Sequence, residues 1–375
     1  MMNIRKRNDI LVIINGQIYP TSDGINLRAY NFVKNLCSHF SVDIICTGHS
    51  EETLHRGFNG RYHNLYLSNK NNIIPKRNNS LNKIIDLTNP PYYIYAIPMP
   101  YYENIEYLLA SALSSCSYRR ILTFGAPTYG YYLWKYKINN SICDVIDSTG
   151  LLLKTVLENK KISIKDRISY IYSYIYNVMW ERRYLSKCEN IITISKRDKR
   201  ELALHISVDR IHVLENGVDH EYFDPAVFAP YEERDEIIFS GVMDYEPNHD
   251  AAVYLIKEIW PKLRKRVQNY KLKIIGRNPK SSLIDIAKNY KDVVVTGEVD
   301  DIRKEMLGAK VMICPIRLGA GMKNKILEAF AMGIPVVSTT EGAEGIDFEN
   351  GKEGFITDNI NEMTEHIERI VTNDK

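Results

Sequence analysis

Residues 315–337 read PIRLGAGMKNKILEAFAMGIPVV, and the run 311–314 before them, VMIC, is apolar. The pattern predicts a strand, then a glycine loop at Gly319 and Gly321, then a helix carrying Lys323, Lys325 and Glu328. Gly333-Ile-Pro335 stops that helix, and Pro335 to Val337 opens the next strand. A strand, a glycine loop and a helix N-terminus in series make an anion site, because glycines admit backbone N–H groups close to a phosphate and the helix dipole favours negative charge. Arg317, Lys323 and Lys325 surround the loop. Lysines in a first helical turn sit against the dipole unless an anion is bound, so contact with a phosphate is expected of at least one, Lys325 first.

The surrounding sequence repeats the α/β rhythm. Apolar strands are expected at 10–14, 42–46, 121–124, 141–146, 190–194 and 211–214, with a loop and helix over 24–36. After turn chemistry at Asn216-Gly217 and Asp224-Pro225, a second series is expected. Its strands fall at 237–239, 271–275, 293–295, 311–314 and 335–337, with helices over 250–266 and 361–371. Short apolar strands between helices indicate parallel sheets covered on both faces. The expected architecture is two Rossmann-like domains, 1–217 and 218–375, with ligands beyond the carboxyl ends of the strands and a cleft between the domains.

At 375 residues the chain suits two domains, and 45% apolar with 25% charged residues is the mix of a soluble globular protein. The run at 10–14 is too short for a signal-peptide core, so a strand and a cytoplasmic protein are expected. Six scattered cysteines form no C-x-x-C pair, and the nine histidines show no metal spacing. Net charge is only +3, yet the halves differ. Residues 1–217 carry 28 Lys+Arg and 18 Asp+Glu, against 21 and 28 in 218–375. The basic first half suits an anionic partner such as a membrane surface, and equally suits a plain solvated surface.

The landmarks Asn216-Gly-Val-Asp219, Ser240-Gly-Val-Met-Asp-Tyr-Glu-Pro-Asn248, Ile274-Ile-Gly276, Val295-Thr-Gly-Glu-Val299, the stretch 315–339 and Glu341-Gly-Ala-Glu-Gly345 fall in a familiar order. In them the second half resembles the retaining glycosyltransferases of family 4, also described as glycosyl transferases group 1, which have the GT-B fold. The first half matches more loosely, through 20–24 with Arg28 and through 144–148. The resemblance implies transfer of a sugar from a nucleotide-diphosphate donor to a glycan or lipid-linked acceptor, with retention, no metal and no nucleic acid partner. It puts the donor on the second domain and the acceptor on the first.

By the same resemblance Glu328 meets the ribose hydroxyls, Gly241, Gly276, Arg277, Val299, Gly319, Gly321, Met322 and Lys323 line the donor site, and Arg317 and Lys325 stabilise the departing diphosphate. Gly24, Arg28, Asp147 and Ser148 fall on the acceptor side. Two departures stand out. The first glutamate of the family's paired motif is Ala320, and a basic pair common after the first glycine is replaced by Val242 and Pro247. One branch of the family has Met and Pro-Asn at the first place, and Gly-x-Gly-x-x-Asn-Lys before the helix glutamate, as here. The family pattern also continues past the helix at 361–371, whereas this sequence ends at Lys375.

Other readings stay open. Arg28 is a phosphate contact or a surface charge; Asp147-Ser148 orients an acceptor or forms a capped loop. Tyrosines at 92, 93, 95, 101, 102, 170, 172, 174 and 176, with Trp180 and Arg182-Arg183, either pack the core or meet a membrane holding a lipid-linked acceptor. The expectation is a cytoplasmic enzyme of bacterial surface polysaccharide synthesis, of capsule or lipopolysaccharide, peripheral at the inner face of the plasma membrane. The alternatives are a non-catalytic nucleotide-sugar-binding protein, an epimerase or a phosphorylase.

Overall fold

The computed structural model describes residues 6–14, 18–19, 24–47, 51–58, 62–68, 100–125, 133–158, 163–319 and 321–372. Ala320, residues 20–23 and the tyrosines at 92, 93 and 95 lie outside the described residues. The chain forms two compact units, Met1–Leu214 and Glu215–Lys375.

The first unit runs β1 (Lys6–Ile14), α1 (Gly24–Leu36), β2 (Val42–Thr47), α2 (Glu51–Phe58), β3 (Asn64–Ser68), α3 (Pro100–Ser115), β4 (Cys116–Phe124), β5 (Ser141–Ile146), α4 (Thr149–Glu158), α5 (Ile164–Arg183), β6 (Asn190–Thr193), α6 (Lys196–Leu202) and β7 (Ile211–Val213). Its sheet is ordered β3-β2-β1-β4-β5-β6-β7, with every pairing parallel. The apolar runs read in the sequence are continuous because both faces are covered. Leu11 and Ile13 enter one core cluster and Val12 and Ile14 the other, all four at most 1% exposed.

The second unit runs β8 (Arg234–Ser240), α7 (Glu246–Tyr254), β9 (Lys271–Ile275), α8 (Ser281–Ala287), β10 (Val293–Val295), α9 (Ile302–Met306), β11 (Ala309–Cys314), α10 (Asn324–Ala331), β12 (Val336–Ser338), β13 (Gly354–Ile356) and α11 (Ile360–Thr372). Its parallel sheet is ordered β10-β9-β8-β11-β12-β13 around a core holding Phe239, Trp260, Ile274 and Ile313. The helix expected over 250–266 begins earlier, at Glu246, and is not uniform. It widens at Leu255–Ile259, where Trp260 N–H donates to Leu255 O, and continues as Trp260–Leu263. Pro261 has no N–H for the ordinary i−4 bond, and a wide turn just before it absorbs the loss.

Strand order reverses between β8 and β11, whose carboxyl ends are Ser240 and Cys314. That is the switch point at which open α/β sheets bind ligands. Among the described residues, no helix is long and apolar enough to cross a membrane.

Candidate functional site

Three loops leave the carboxyl ends of β8, β9 and β11 and meet at the switch point. Gly241 N–H donates to Ile275 O at 3.0 Å and Met243 N–H to Arg277 O at 2.9 Å, so the first two loops are zipped by main chain. The approach is so close that a Cβ on Gly276 would lie 1.7 Å from Gly241 O, and Gly276 has φ +149°. Only glycine serves there. The third loop passes over Pro247, whose Cγ would lie 3.6 Å from a Cβ on Gly319. Thr339 pins this loop: its hydroxyl donates to Ile316 O and accepts from Gly342 N–H.

Lys325 projects from the first turn of α10 into this meeting point. Its Nζ donates to Asn248 Oδ1 at 2.7 Å and lies 4.4 Å from the centre of the Phe239 ring. A Cβ on Gly241 would come within 2.8 Å of it. Asn248 is 8% exposed, and its Nδ2 donates to Val242 O at 3.0 Å, which leaves Oδ1 for the lysine. Burial pulls the Lys325 ammonium down to about 8. Glu328, one turn further along α10, is pushed up to about 7 by burial, with Lys325 drawing it the other way. The Glu328 carboxylate is half-buried and makes no hydrogen bond among the described residues. A lysine head with a neutral holder and an uncommitted carboxylate on one helical turn can meet an anion and a diol side by side.

The N-cap of α10 is Lys323, which offers no side-chain cap, so the first helical N–H groups point to the loop. Lys323 Nζ folds back to donate to Gly321 O at 2.5 Å. Asn216 buttresses the same turn: its main-chain N–H donates to Met322 Sδ at 3.3 Å and its side chain to Asn324 Oδ1 at 2.9 Å.

Arg317 is placed differently. Its guanidinium grips Asp250 of α7 with two bonds from Nη2, at 2.7 and 2.9 Å, and a third from Nε at 3.2 Å. It also stacks 3.8 Å over the Tyr254 ring. Arg277 is half-buried beside Gly276, and Val299, beyond β10, is partly buried against the core. The site residues therefore divide. Gly241, Gly276, Gly319, Lys325 and Glu328 gather at the switch point, while the charge of Arg317 is taken by Asp250.

In the first unit Gly24 begins α1. Arg28 is buried, with Nε donating to Asp144 Oδ2 at 2.9 Å and Nη2 to Leu214 O at 2.8 Å. It holds the carboxyl end of β5 rather than sitting on the surface. Burial raises the Asp144 carboxyl above its usual range, and Arg28 opposes that rise. Ser148 is 1% exposed; its hydroxyl accepts from Leu151 N–H and its own N–H donates to Asp198 Oδ1, the arrangement of a capped loop. Asp147 beside it is half-buried. Among the described residues, no group of three or more His, Cys, Asp or Glu could hold a metal ion.

The sequence does not show that Asn248, Asp250 and Asp144 are the partners of Lys325, Arg317 and Arg28. Each is joined to its cation across a separation of 77, 67 or 116 residues. For Asn248 a signal was present, since it ends the Pro-Asn pair shared with one branch of the family.

Residues 234–373 match the family model described as glycosyl transferases group 1. No curated protein matches the chain in sequence. Solved structures resemble it at low identity. HepE from Anabaena, in complex with UDP and glucose, has a TM-score of 0.63 at 13% identity, over 98% of this chain and 90% of that one. A glycosyltransferase from Rickettsia africae gives 0.61 at 17%, over 98% and 89%. WaaG, a glycosyltransferase involved in lipopolysaccharide biosynthesis, gives 0.62 at 13%, over 96% and 90%. The second unit thus matches the group 1 glycosyltransferase model over 234–373, and the two parallel-sheet units with these structural matches give the chain the GT-B fold.

Proposed function

We propose that the protein transfers a sugar from a nucleotide-diphosphate donor to a glycan or lipid-linked acceptor, with retention of anomeric configuration. The observation that carries this reading is the half-buried Lys325–Glu328 pair at the β8/β11 switch point of a group 1 glycosyltransferase domain. Lys325 and the N-terminus of α10 would bind the diphosphate and stabilise the charge that grows on it as the glycosidic bond breaks. Glu328 would accept hydrogen bonds from the ribose diol. Arg317 would hold the loop through Asp250, so Lys325 carries the electrostatic role. The acceptor hydroxyl would attack from the face the diphosphate leaves and give its proton to a donor phosphate oxygen, without a metal ion. HepE with UDP and glucose bound supports a nucleotide-sugar partner, and WaaG supports a place in bacterial surface polysaccharide synthesis.

The test is nucleotide release from UDP-, GDP-, ADP- and CMP-sugars by the wild type and by Glu328→Ala. Release from one donor, lost in the variant, is expected. Tight donor binding without release, across glycan and lipid-linked acceptors, would make the protein a nucleotide-sugar-binding scaffold instead.

A further inference from the structure

α5 is an amphipathic helix turned inside out. Ile164, Ile168, Ile171, Ile175 and Met179 recur at helical spacing, and with Tyr172 they are between 44% and 81% exposed. Scattered exposed apolar residues are ordinary, but a continuous stripe along a whole helix is not. The opposite, packed face is the polar one. Arg167 Nη1 donates to Leu157 O at 2.8 Å, Tyr174 Oη donates to Glu201 Oε1 at 3.2 Å, and Glu181, 2% exposed, pairs with His205 at 2.5 Å. The helix is thus fastened to the unit by hydrogen bonds, and its hydrocarbon faces outward.

Two further features flank the stripe. Lys165, Arg182 and Arg183 are exposed at its ends, while Asp166 is the one exposed acid on the helix. On one side the rings of Trp180, Tyr184 and Trp134 touch in series, at 4.4 and 5.3 Å between centroids, and Trp134 is itself 43% exposed. A second copy seated on this stripe would bring Lys165, Arg182 and Arg183 of two helices together, like charge against like. An anionic bilayer suits the stripe better, because a helix lying flat buries its apolar face while lysines and arginines at the rim meet lipid phosphates.

We propose that α5 seats the protein on an anionic phospholipid surface, with Ile164, Ile168, Ile171, Ile175 and Met179 in the acyl boundary and Lys165, Arg182 and Arg183 on the headgroups. This inference stands whether or not the sugar-transfer reading does. The test is co-sedimentation of the full chain with phosphatidylcholine vesicles, with and without phosphatidylglycerol. Wild type should pellet with the anionic vesicles and stay in the supernatant with the neutral ones. Ile168→Glu with Ile175→Glu should weaken partition by more than about tenfold. Arg182→Glu with Arg183→Glu should weaken it at least about fivefold per charge, and added salt should mimic that loss. All four positions are exposed, so melting temperatures should match wild type, which separates lost lipid binding from lost folding. Wild type left in the supernatant with both vesicles, equal binding to neutral vesicles, or undiminished binding by the isoleucine variant would overturn the proposal. So would a dimer in sedimentation velocity that the isoleucine variant converts to monomer.

Discussion

Lys325→Met should make the protein more stable and worse at holding a donor. Burial lowers the ammonium from 10.5 to about 8, which corresponds to roughly 3 kcal/mol lost to the charged form on folding. Methionine removes that cost, keeps all but the last atom of the side chain's length and places a thioether near the Phe239 ring. Against this stands the lost hydrogen bond to Asn248, worth about 1 kcal/mol. The net is a gain of about 1–2 kcal/mol, or a rise of about 3–6 °C in the melting of a unit of this size. The sign with pH follows from a folded value below the unfolded one. The lysine is charged and penalised below about 8, and the penalty fades as pH rises from 8 towards 10.5, so the advantage of the variant should fade over the same window. Donor affinity should fall about 10–100-fold, the worth of a charge-assisted bond to phosphate. Wild-type affinity should itself decline above about pH 8, where the ammonium loses its proton, and the variant should lack that limb. Calorimetric donor titration and thermal melts from about pH 6 to about pH 10 measure all of this. A variant that is less stable, or that binds the donor as wild type does, would refute the assignment of Lys325 as a buried cation, held by an amide, that faces an anion.

Asn248→Asp should give Lys325 a carboxylate partner, lower donor affinity about tenfold or more, and move the upper pH limb higher, read by the same titration. Gly276→Ala should destabilise the second unit by about 3 kcal/mol or more, because its Cβ meets Gly241 O, whereas Gly217→Ala, with open space around it, should be silent in the melt. Arg28→Met should cost the first unit about 3–5 kcal/mol by stranding Asp144. That deficit should grow as pH rises past 3.8, since the stranded carboxyl has its folded value raised and pays to ionise; denaturant melts at several pH values would show it.

The inner strands were legible because buried parallel strands are apolar on both faces, so 141–146 and 271–275 read as strands with the observed ends. Of the edge strands, β7 and β10 are apolar enough to be read, and β3 and β13 are not. β3, Asn64–Ser68, is polar at both ends, and β13, Gly354–Ile356, is three residues long. Edge strands bury less and leave a weaker trace. α10 was legible in kind, as a glycine loop opening a helix. What one strand of text does not carry is which cation meets which anion. Arg317 and Lys325 read alike beside the loop, yet one is gripped by Asp250 and the other is held by an amide. For α5 the spacing of tyrosines drew the eye, while the stripe that matters is made of isoleucines, and only the packed face shows which side is out.

The difference between those two cations explains how the chain does without a basic pair at Val242 and Pro247. A cation bound to a carboxylate has spent its charge, and drawing it to a phosphate first costs the ion pair. A cation bound to an amide oxygen keeps its charge, while the amide fixes where the charge sits. Asn248 can do this because its Nδ2 is already engaged by Val242 O, the residue at one of the two exchanged positions. The loop after β8 thus supplies, through its backbone and one asparagine, the bracket for a lysine from another helix. The positive charge at the switch point sits in the first turn of α10, where the helix N-terminus adds to its field.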